Sequence, residues 1–179
     1  MELKGSKTEK NLWEAFAGES MARNKYSYFA KKAKKEGYNR IGEIFEQTAH
    51  NEEQHAKIWF KLLQGGEILD TASNLQTCVD GENYEWVDMY KRMADEAREE
   101  GFSKIAFLFE SVGKIEKGHE ERYKNVLDAL KENKIFARDA KVLWECGQCG
   151  HRHEGVNPPE MCPVCSHPKA YFFELRDEY

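Results

Sequence analysis

Hydrophobic residues recur at intervals of three and four up to about residue 133, which is the period of an amphipathic helix. Strong helix formers dominate this part of the chain, and the first proline in the sequence is Pro158. The pattern predicts four helices. The first begins at Ser6 or Thr8, either of which can cap it, and ends near Gly37, a typical helix stop.

The other three helices are less evenly marked by start and stop signals. The second is predicted from about residue 39 to residue 63, just before a Gly-Gly pair. Residues 67–81 are read as a long crossing to which no structure is assigned. The third helix is predicted to begin near Glu82 and to end before Gly101, and the fourth covers about residues 103–132.

One stretch of the predicted helices occurs twice. Residues 33–55 match residues 97–119 without a gap, at a constant offset of 64 residues. Two copies of one helical hairpin, joined by a long crossing, can pack as a four-helix bundle with a pseudo-two-fold axis. The sequence therefore predicts an all-α four-helix bundle over residues 1–133.

The composition changes at about Val142, after a predicted linker at residues 134–141. Residues 142–179 hold all four prolines, alternating apolar residues and four of the five cysteines, and they predict a small, mostly β and loop domain. The cysteines form two CxxC pairs separated by twelve residues: Cys146, Cys149, Cys162 and Cys165. In a reducing compartment this spacing indicates one metal ion rather than two strained disulfides. It does not distinguish structural zinc from a single redox-active iron.

The charge distribution limits the partners that we expect. The chain has 179 residues and a net charge of −5, with acidic and basic residues interspersed. This pattern predicts neither a nucleic-acid footprint nor a polybasic membrane patch. The apolar runs are only a few residues long, so we expect no membrane span. The sequence MELKGSKTEK has no apolar signal-peptide core, and we expect a cytoplasmic protein.

Two Glu-x-x-His pairs occupy equal positions in the repeat. Glu52 and His55 match Glu116 and His119, and the spacing of three places both side chains of a pair on one helix face. A single pair of this kind is usually a solvated surface. Two pairs at matched positions favour a metal site. The neighbouring acidic residues are expected to be surface charges: Glu53, Glu120 and Glu121.

The other two predicted helices also offer carboxylates. Glu19 lies on the apolar face of the first helix, and Glu82 and Glu85 stand three apart at the start of the third. Di-iron bundles use one Glu from each of two helices and a Glu-x-x-His pair from each of the others. Oxygen-rich ligands suit iron or manganese better than structural zinc, although zinc could enter recombinant protein. Tyr26 and Tyr90 are either core aromatics or hydrogen-bond donors to these carboxylates.

Five segments, in this order, make the sequence resemble the rubrerythrin family along nearly its whole length: GESMARNKY, NEEQHAKIWF, GENYEWVDMY, IEKGHEERY and CGQCG…CPVCS. The resemblance implies a ferritin-like four-helix bundle with a non-haem di-iron centre, followed by a rubredoxin-like domain with one iron held by four cysteines. The implied di-iron ligands are Glu19, Glu52, Glu82, Glu85, Glu116 and His119. His55 corresponds to a family histidine that replaces Glu85 on one iron after reduction. Tyr26 and Tyr90 correspond to tyrosines that donate hydrogen bonds to ligand carboxylates.

The two predicted metal sites and the family resemblance together predict a peroxidase that reduces hydrogen peroxide to water in oxidative-stress defence. Electrons would be relayed through the rubredoxin-like iron. Rubredoxin or an NAD(P)H-dependent reductase would supply the electrons, because the chain has no GxGxxG motif. The resemblance implies a head-to-tail homodimer, and a tetramer is also compatible with it. The alternatives are a ferritin-like ferroxidase that handles iron, and a zinc ribbon that recruits a partner to a helical scaffold.

Overall fold

Residues 2–175 are described by a computed structural model and divide into two units after Leu69. The first unit is a helical hairpin of α1 (Lys7–Lys35) and α2 (Asn39–Leu63). The Ser6 hydroxyl caps α1 by accepting a hydrogen bond from the Glu9 N–H at 3.1 Å. Both helices have the predicted bounds because their start and stop signals are local.

Small residues let the two helices of the first unit approach closely. The buried positions of α1 and α2 are alanine or glycine: Ala30, Ala33, Gly42, Ala49 and Ala56. Larger rings pack beside them, with the Phe16 and Phe60 centroids 5.3 Å apart. Gly37 joins the helices at a φ of +88°, a conformation that costs glycine little.

The helical part of the second unit begins earlier than the sequence predicts. It contains α3 (Thr71–Tyr84), a π-helix (Glu85–Met89), α4 (Tyr90–Glu99) and α5 (Ser103–Lys131). The prediction that this helix starts near Glu82 is therefore wrong. Three of the first four residues of α3, Thr71, Ser73 and Asn74, have modest helix propensity. The Asp70 carboxylate nevertheless caps the helix by accepting a hydrogen bond from the Ser73 N–H at 3.0 Å.

The π-helix separates α3 from α4 without breaking the helical path. The Tyr90 N–H donates to the Glu85 carbonyl, five residues earlier, rather than to the residue four earlier. This turn therefore contains one residue more than an α-helical turn. Nothing in the hydrophobic pattern predicts it.

The cysteine-rich region folds as the predicted small β and loop module. Strands β1 (Val142–Cys146), β2 (Arg152–Gly155) and β3 (Phe172–Glu174) form an antiparallel sheet in the order β2-β1-β3. Trp144, Cys146, Cys162 and Phe172 form its buried core. The side chains at this core are few, which makes each of them important for stability.

Arg138, in the segment before β1, is tied to the β module. Its guanidinium contacts the Glu174 carboxylate at 2.8–2.9 Å and lies 5.3 Å from the centroid of the Trp144 ring. Its backbone N–H donates to the Val156 carbonyl at 2.8 Å. Along residues 2–175, no helix is both long enough and apolar enough to cross a membrane.

The buried indole of Trp144 predicts a large stability effect. Trp144 is 1% exposed, and its Nε1–H donates to the Gly155 carbonyl at 3.0 Å. We expect Trp144→Ala to lower the free energy of unfolding of the β module by about 3–5 kcal/mol, because it leaves a cavity and an unpaired carbonyl. Denaturant titration followed by near-ultraviolet circular dichroism measures the change.

Leu143→Ala is the matched control, because Leu143 lies on the same strand but is 37% exposed. It should lower the free energy of unfolding far less. Equal losses for the two variants would show that Trp144 does not anchor the module.

Candidate metal centres

The first unit brings together three of the predicted ligands. Glu19 comes from α1, and Glu52 and His55 come from one face of α2. His55 Nδ1 lies 3.0 Å from Glu52 Oε2 and 3.7 Å from Glu19 Oε2. One ligand atom from each residue lies within 4.8 Å of the others, so a single ion can contact all three.

The second unit builds the same arrangement from the second copy of the repeat. Glu82 comes from α3, and Glu116 and His119 come from α5. His119 Nδ1 lies 2.6 Å from Glu116 Oε2 and 3.8 Å from Glu82 Oε2. These three groups also have ligand atoms within 4.8 Å of one another. The repeat thus produces two carboxylate–histidine clusters of one design.

Each cluster crowds like charges together. A hydrogen bond shared with Glu52 raises the pKa of Glu19, and partial burial raises it further. Burial also raises the pKa of Glu82, and the neighbouring charge of Glu116 adds to the effect. A divalent cation would remove this repulsion, and two carboxylates with one imidazole are ligands that iron and manganese accept. The residues therefore fit a metal.

Glu85 and the two tyrosines lie outside these clusters. Glu85 is half-buried on the π-helix, and its charge helps to raise the pKa of both Glu82 and Tyr90. For Tyr90, burial is the larger cause. The Tyr26 ring packs 6.4 Å from that of Phe45. The predicted roles of Glu85, Tyr26 and Tyr90 toward a metal stay predictions.

Glu120 is buried, which contradicts its expected place among the surface charges. It is 3% exposed, and its carboxylate accepts hydrogen bonds from Lys124, Trp86 and Asn83. Lys124, followed by Trp86, lowers the pKa of Glu120. One sequence signal could have located it. The residue 64 positions earlier, one past the first copy of the repeat, is the apolar Ala56.

The four predicted cysteines converge in the β module. Cys146 and Cys165 have their sulfurs 3.7 Å apart, and those of Cys149 and Cys162 are 3.6 Å apart. All four lie within 4.8 Å of one another. A disulfide needs about 2.05 Å, whereas sulfurs around a tetrahedral ion with bonds of about 2.3 Å lie roughly 3.8 Å apart. The geometry therefore fits a four-thiolate metal site.

The thiols compete with one another for ionisation. Burial opposes ionisation of Cys162, but the N–H groups of Cys165 and Val164 outweigh it and lower its pKa to about 7. At Cys149 the His151 N–H favours the thiolate, yet burial and the other thiols raise the pKa to about 12. Four thiolates can coexist only around a cation, and iron or zinc suits four sulfur ligands.

The Glu116 carboxylate is expected to be essential for metal binding in the second cluster. Loss of a residue that hydrogen-bonds a metal ligand typically weakens metal binding by roughly 10–100-fold. Glu116→Ala removes a ligand itself, so it should weaken metal binding by more than this. Metal analysis after loading with ferrous iron measures the stoichiometry. The control is Glu121→Ala, on an exposed position of α5. Unchanged iron content in Glu116→Ala would show that Glu116 is not a ligand.

Cys162→Ser should remove the absorbance of the thiolate-bound iron, because a serine hydroxyl ionises far less readily than a thiol. Visible spectroscopy of the iron-loaded protein records the loss. Cys78→Ser provides the control, since Cys78 lies in α3 and outside the four-thiol cluster. Iron at the carboxylate–histidine clusters should be retained in both variants. A persistent spectrum in Cys162→Ser would exclude Cys162 as a ligand.

Comparison with known proteins gives matches to both parts of the chain. The rubrerythrin family matches residues 10–127, and the rubrerythrin rubredoxin-like domain matches residues 144–173. The chain is 46% identical over 181 residues to a rubrerythrin of Nitratidesulfovibrio vulgaris, covering 95% of each protein. It is 44% identical over 192 residues to rubrerythrin-1 of Clostridium acetobutylicum, covering 99% of this chain and 98% of that protein.

A third relative, a rubrerythrin of Porphyromonas gingivalis, is 43% identical over 188 residues, covering 99% of this chain and 94% of that protein. The matches confirm the predicted fold class, ferritin-like helices followed by a rubredoxin-like module. They also confirm iron as the cofactor that the carboxylate–histidine and four-cysteine sites hold. The chain is therefore an iron-binding oxidoreductase that belongs to the rubrerythrin family.

Proposed function

We propose that this protein is a non-haem di-iron peroxidase that reduces hydrogen peroxide to water. The observation that carries the proposal is the occurrence, in one chain, of two matched carboxylate–histidine clusters and a four-thiol cluster. Reduction of one peroxide to two waters consumes two electrons and two protons. The two carboxylate–histidine clusters could hold metals that give the electrons. The four-thiol cluster could hold the metal that returns them.

The proposed ligands are the residues that the sequence predicts. They are Glu19, Glu52, Glu82, Glu85, Glu116 and His119, with His55 as an alternative ligand. Their carboxylates offset the four positive charges of two ferrous ions. When bound, these ions supply the two electrons that peroxide needs, and the thiolate-held iron restores them one at a time.

Glu85 and His55 are proposed to alternate as ligands of one iron. The His55 side chain is 50% exposed, so its ring can reorient at small cost in packing. Glu85 lies on the π-helix, and local π turns of this kind are frequent at functional sites. Exchange between a carboxylate and an imidazole would keep the iron coordinated in both oxidation states.

The tyrosines are proposed to hold ligand carboxylates in place. The Tyr90 hydroxyl is protonated at neutral pH, as in any tyrosine, and burial, followed by the charges of Glu85, Glu116 and Glu82, raises its pKa further. A protonated hydroxyl can donate a hydrogen bond to a carboxylate. Tyr26 is its counterpart in the first copy of the repeat.

The four-thiolate site is proposed as the entry point for electrons. Cys149 is the exposed member of the four, which gives a partner protein a short path to the site. We propose rubredoxin or an NAD(P)H-dependent reductase as that partner. The enzyme would act in the cytoplasm in oxidative-stress defence. We propose a head-to-tail homodimer, or a tetramer, as its assembly.

Rapid mixing tests the substrate directly. The fully reduced, iron-loaded protein is mixed with hydrogen peroxide and, separately, with oxygen, while the absorbance of the thiolate-bound ferric iron is followed. We expect the colour to return much faster with peroxide, because iron held by the carboxylates and histidines would reduce peroxide, and iron held by the four thiolates would replace the electrons used.

The Cys162→Ser variant separates the two steps. In this variant, peroxide should still oxidise the carboxylate–histidine iron, but turnover with the electron donor should fall sharply. Unchanged turnover would exclude the relay. Recolouring of the parent protein that is slow, or faster with oxygen, would instead favour the ferroxidase alternative.

A further inference from the structure

We propose that Glu120 is a positioning residue that fixes the π-helix Glu85–Met89 against α5. In this way it holds the carboxylates of Glu82 and Glu85 where they can bind metal. The inference rests on the proposed di-iron site and deepens it, because it assigns a function to a buried charge that none of the proposed ligand roles uses.

Both oxygens of the Glu120 carboxylate are engaged. Oε1 accepts a hydrogen bond from Asn83 Nδ2 at 3.0 Å, and Oε2 accepts one from Trp86 Nε1 at 2.5 Å. Lys124 also donates to Oε1 and supplies the compensating positive charge. A buried carboxylate with these partners has few alternative positions, because moving it would leave its charge unsatisfied.

The two neutral donors are placed beside proposed ligands. Asn83 directly follows Glu82, and Trp86 directly follows Glu85. Glu120 itself directly follows His119. One carboxylate on α5 therefore anchors α3 and the π-helix at points one residue away from each of two proposed ligands.

The matching helices of the first unit, α1 and α2, have no π turn and no buried carboxylate that ties them together. Tyr26 lies seven residues after Glu19, whereas Tyr90 lies eight residues after Glu82. The π-helix accommodates that additional residue, and α1 is an uninterrupted α-helix. Aligning Glu82 with Glu19 gives an offset of 63 residues before the π-helix, one fewer than the 64 that holds after it. At these offsets the positions that match Asn83, Glu85, Trp86 and Glu120 hold Ser20, Ala22, Arg23 and Ala56.

The extra residue has a geometric consequence. Each residue of an α-helix turns the chain by about 100°, so the π turn sets how the residues before it are oriented relative to α4. π-helical turns are rare and are maintained by their surroundings. The buried Glu120 carboxylate can stabilise the π turn, because hydrogen bonds to a charged group are about twice as strong as those between neutral groups. The π turn, the Glu85 carboxylate on it and the hydrogen bonds of Glu120 thus form one structural unit that the first copy lacks.

Cobalt binding to the metal-free protein tests the inference without relying on activity. Co²⁺ bound by carboxylates and imidazoles gives weak ligand-field bands, whereas Co²⁺ bound by thiolates gives intense charge-transfer bands, so the two kinds of site are measured separately. Glu120→Gln and Trp86→Phe should each weaken Co²⁺ binding at the carboxylate–histidine site by about 10–100-fold and shift its bands. Glu121→Gln, on the exposed neighbour, should change neither.

The double variant Glu120→Gln/Trp86→Phe should bind Co²⁺ about as weakly as the weaker-binding single variant, because both changes act through the same hydrogen-bond network. Circular dichroism and thermal melting of each metal-free variant report whether the helices are retained. Should Glu120→Gln fail to fold, Trp86→Phe decides the question, because it removes the indole N–H donor and keeps both an aromatic ring and the Glu120 charge.

A lowered melting temperature with unchanged Co²⁺ affinity and bands would overturn the inference and leave Glu120 a purely stabilising residue. If the parent protein itself shows no ligand-field bands from oxygen and nitrogen ligands, the proposed di-iron site fails instead. The two failures are therefore distinguishable.

Discussion

Repulsion between acidic groups held at short distance is the constraint on which this structure depends. Three carboxylate or imidazole side chains meet within 4.8 Å in each helical cluster, and four thiols do so in the β module. The pKa values of Glu19 and Glu82 are raised, at Glu19 mainly by a hydrogen bond shared with Glu52 and at Glu82 mainly by burial. At both residues, repulsion from a neighbouring carboxylate adds to the shift. The iron sites of the rubrerythrin family resolve it, because each cation turns repulsion into coordination.

Two kinds of local structure hold these ligand groups close together. In the helices, a spacing of three residues places a carboxylate and an imidazole on one face, and two helices of 25 and 29 residues hold them there. In the β module, turns fix the thiols: the Gly150 N–H donates to the Cys146 carbonyl and the Ser166 N–H to that of Cys162. Both residues adopt positive φ values, +74° and +58°. The two CxxC pairs thus lie in two copies of the same turn.

The helical repeat supplies symmetry, and the second copy then departs from it. The π-helix at Glu85–Met89 inserts one residue, and the buried Glu120 ties that segment to α5. A symmetric pair of clusters would offer the two metals equal surroundings. The second copy also has a carboxylate, Glu85, where α1 has Ala22 at the matching position.

The sequence by itself determined the bounds of α1, α2 and α5, the composition of the three clusters and the small β module. These features depend on spacings of three or four residues and on local start and stop signals such as Ser6 and Gly37, which are visible in any short window. Only the tertiary structure decided that Glu120 is buried, because its partners Asn83 and Trp86 lie 37 and 34 residues away. The tertiary structure also decided where α3 begins and where the π turn lies. In these segments the helix propensity of the sequence is a weak guide, because packing overrides it.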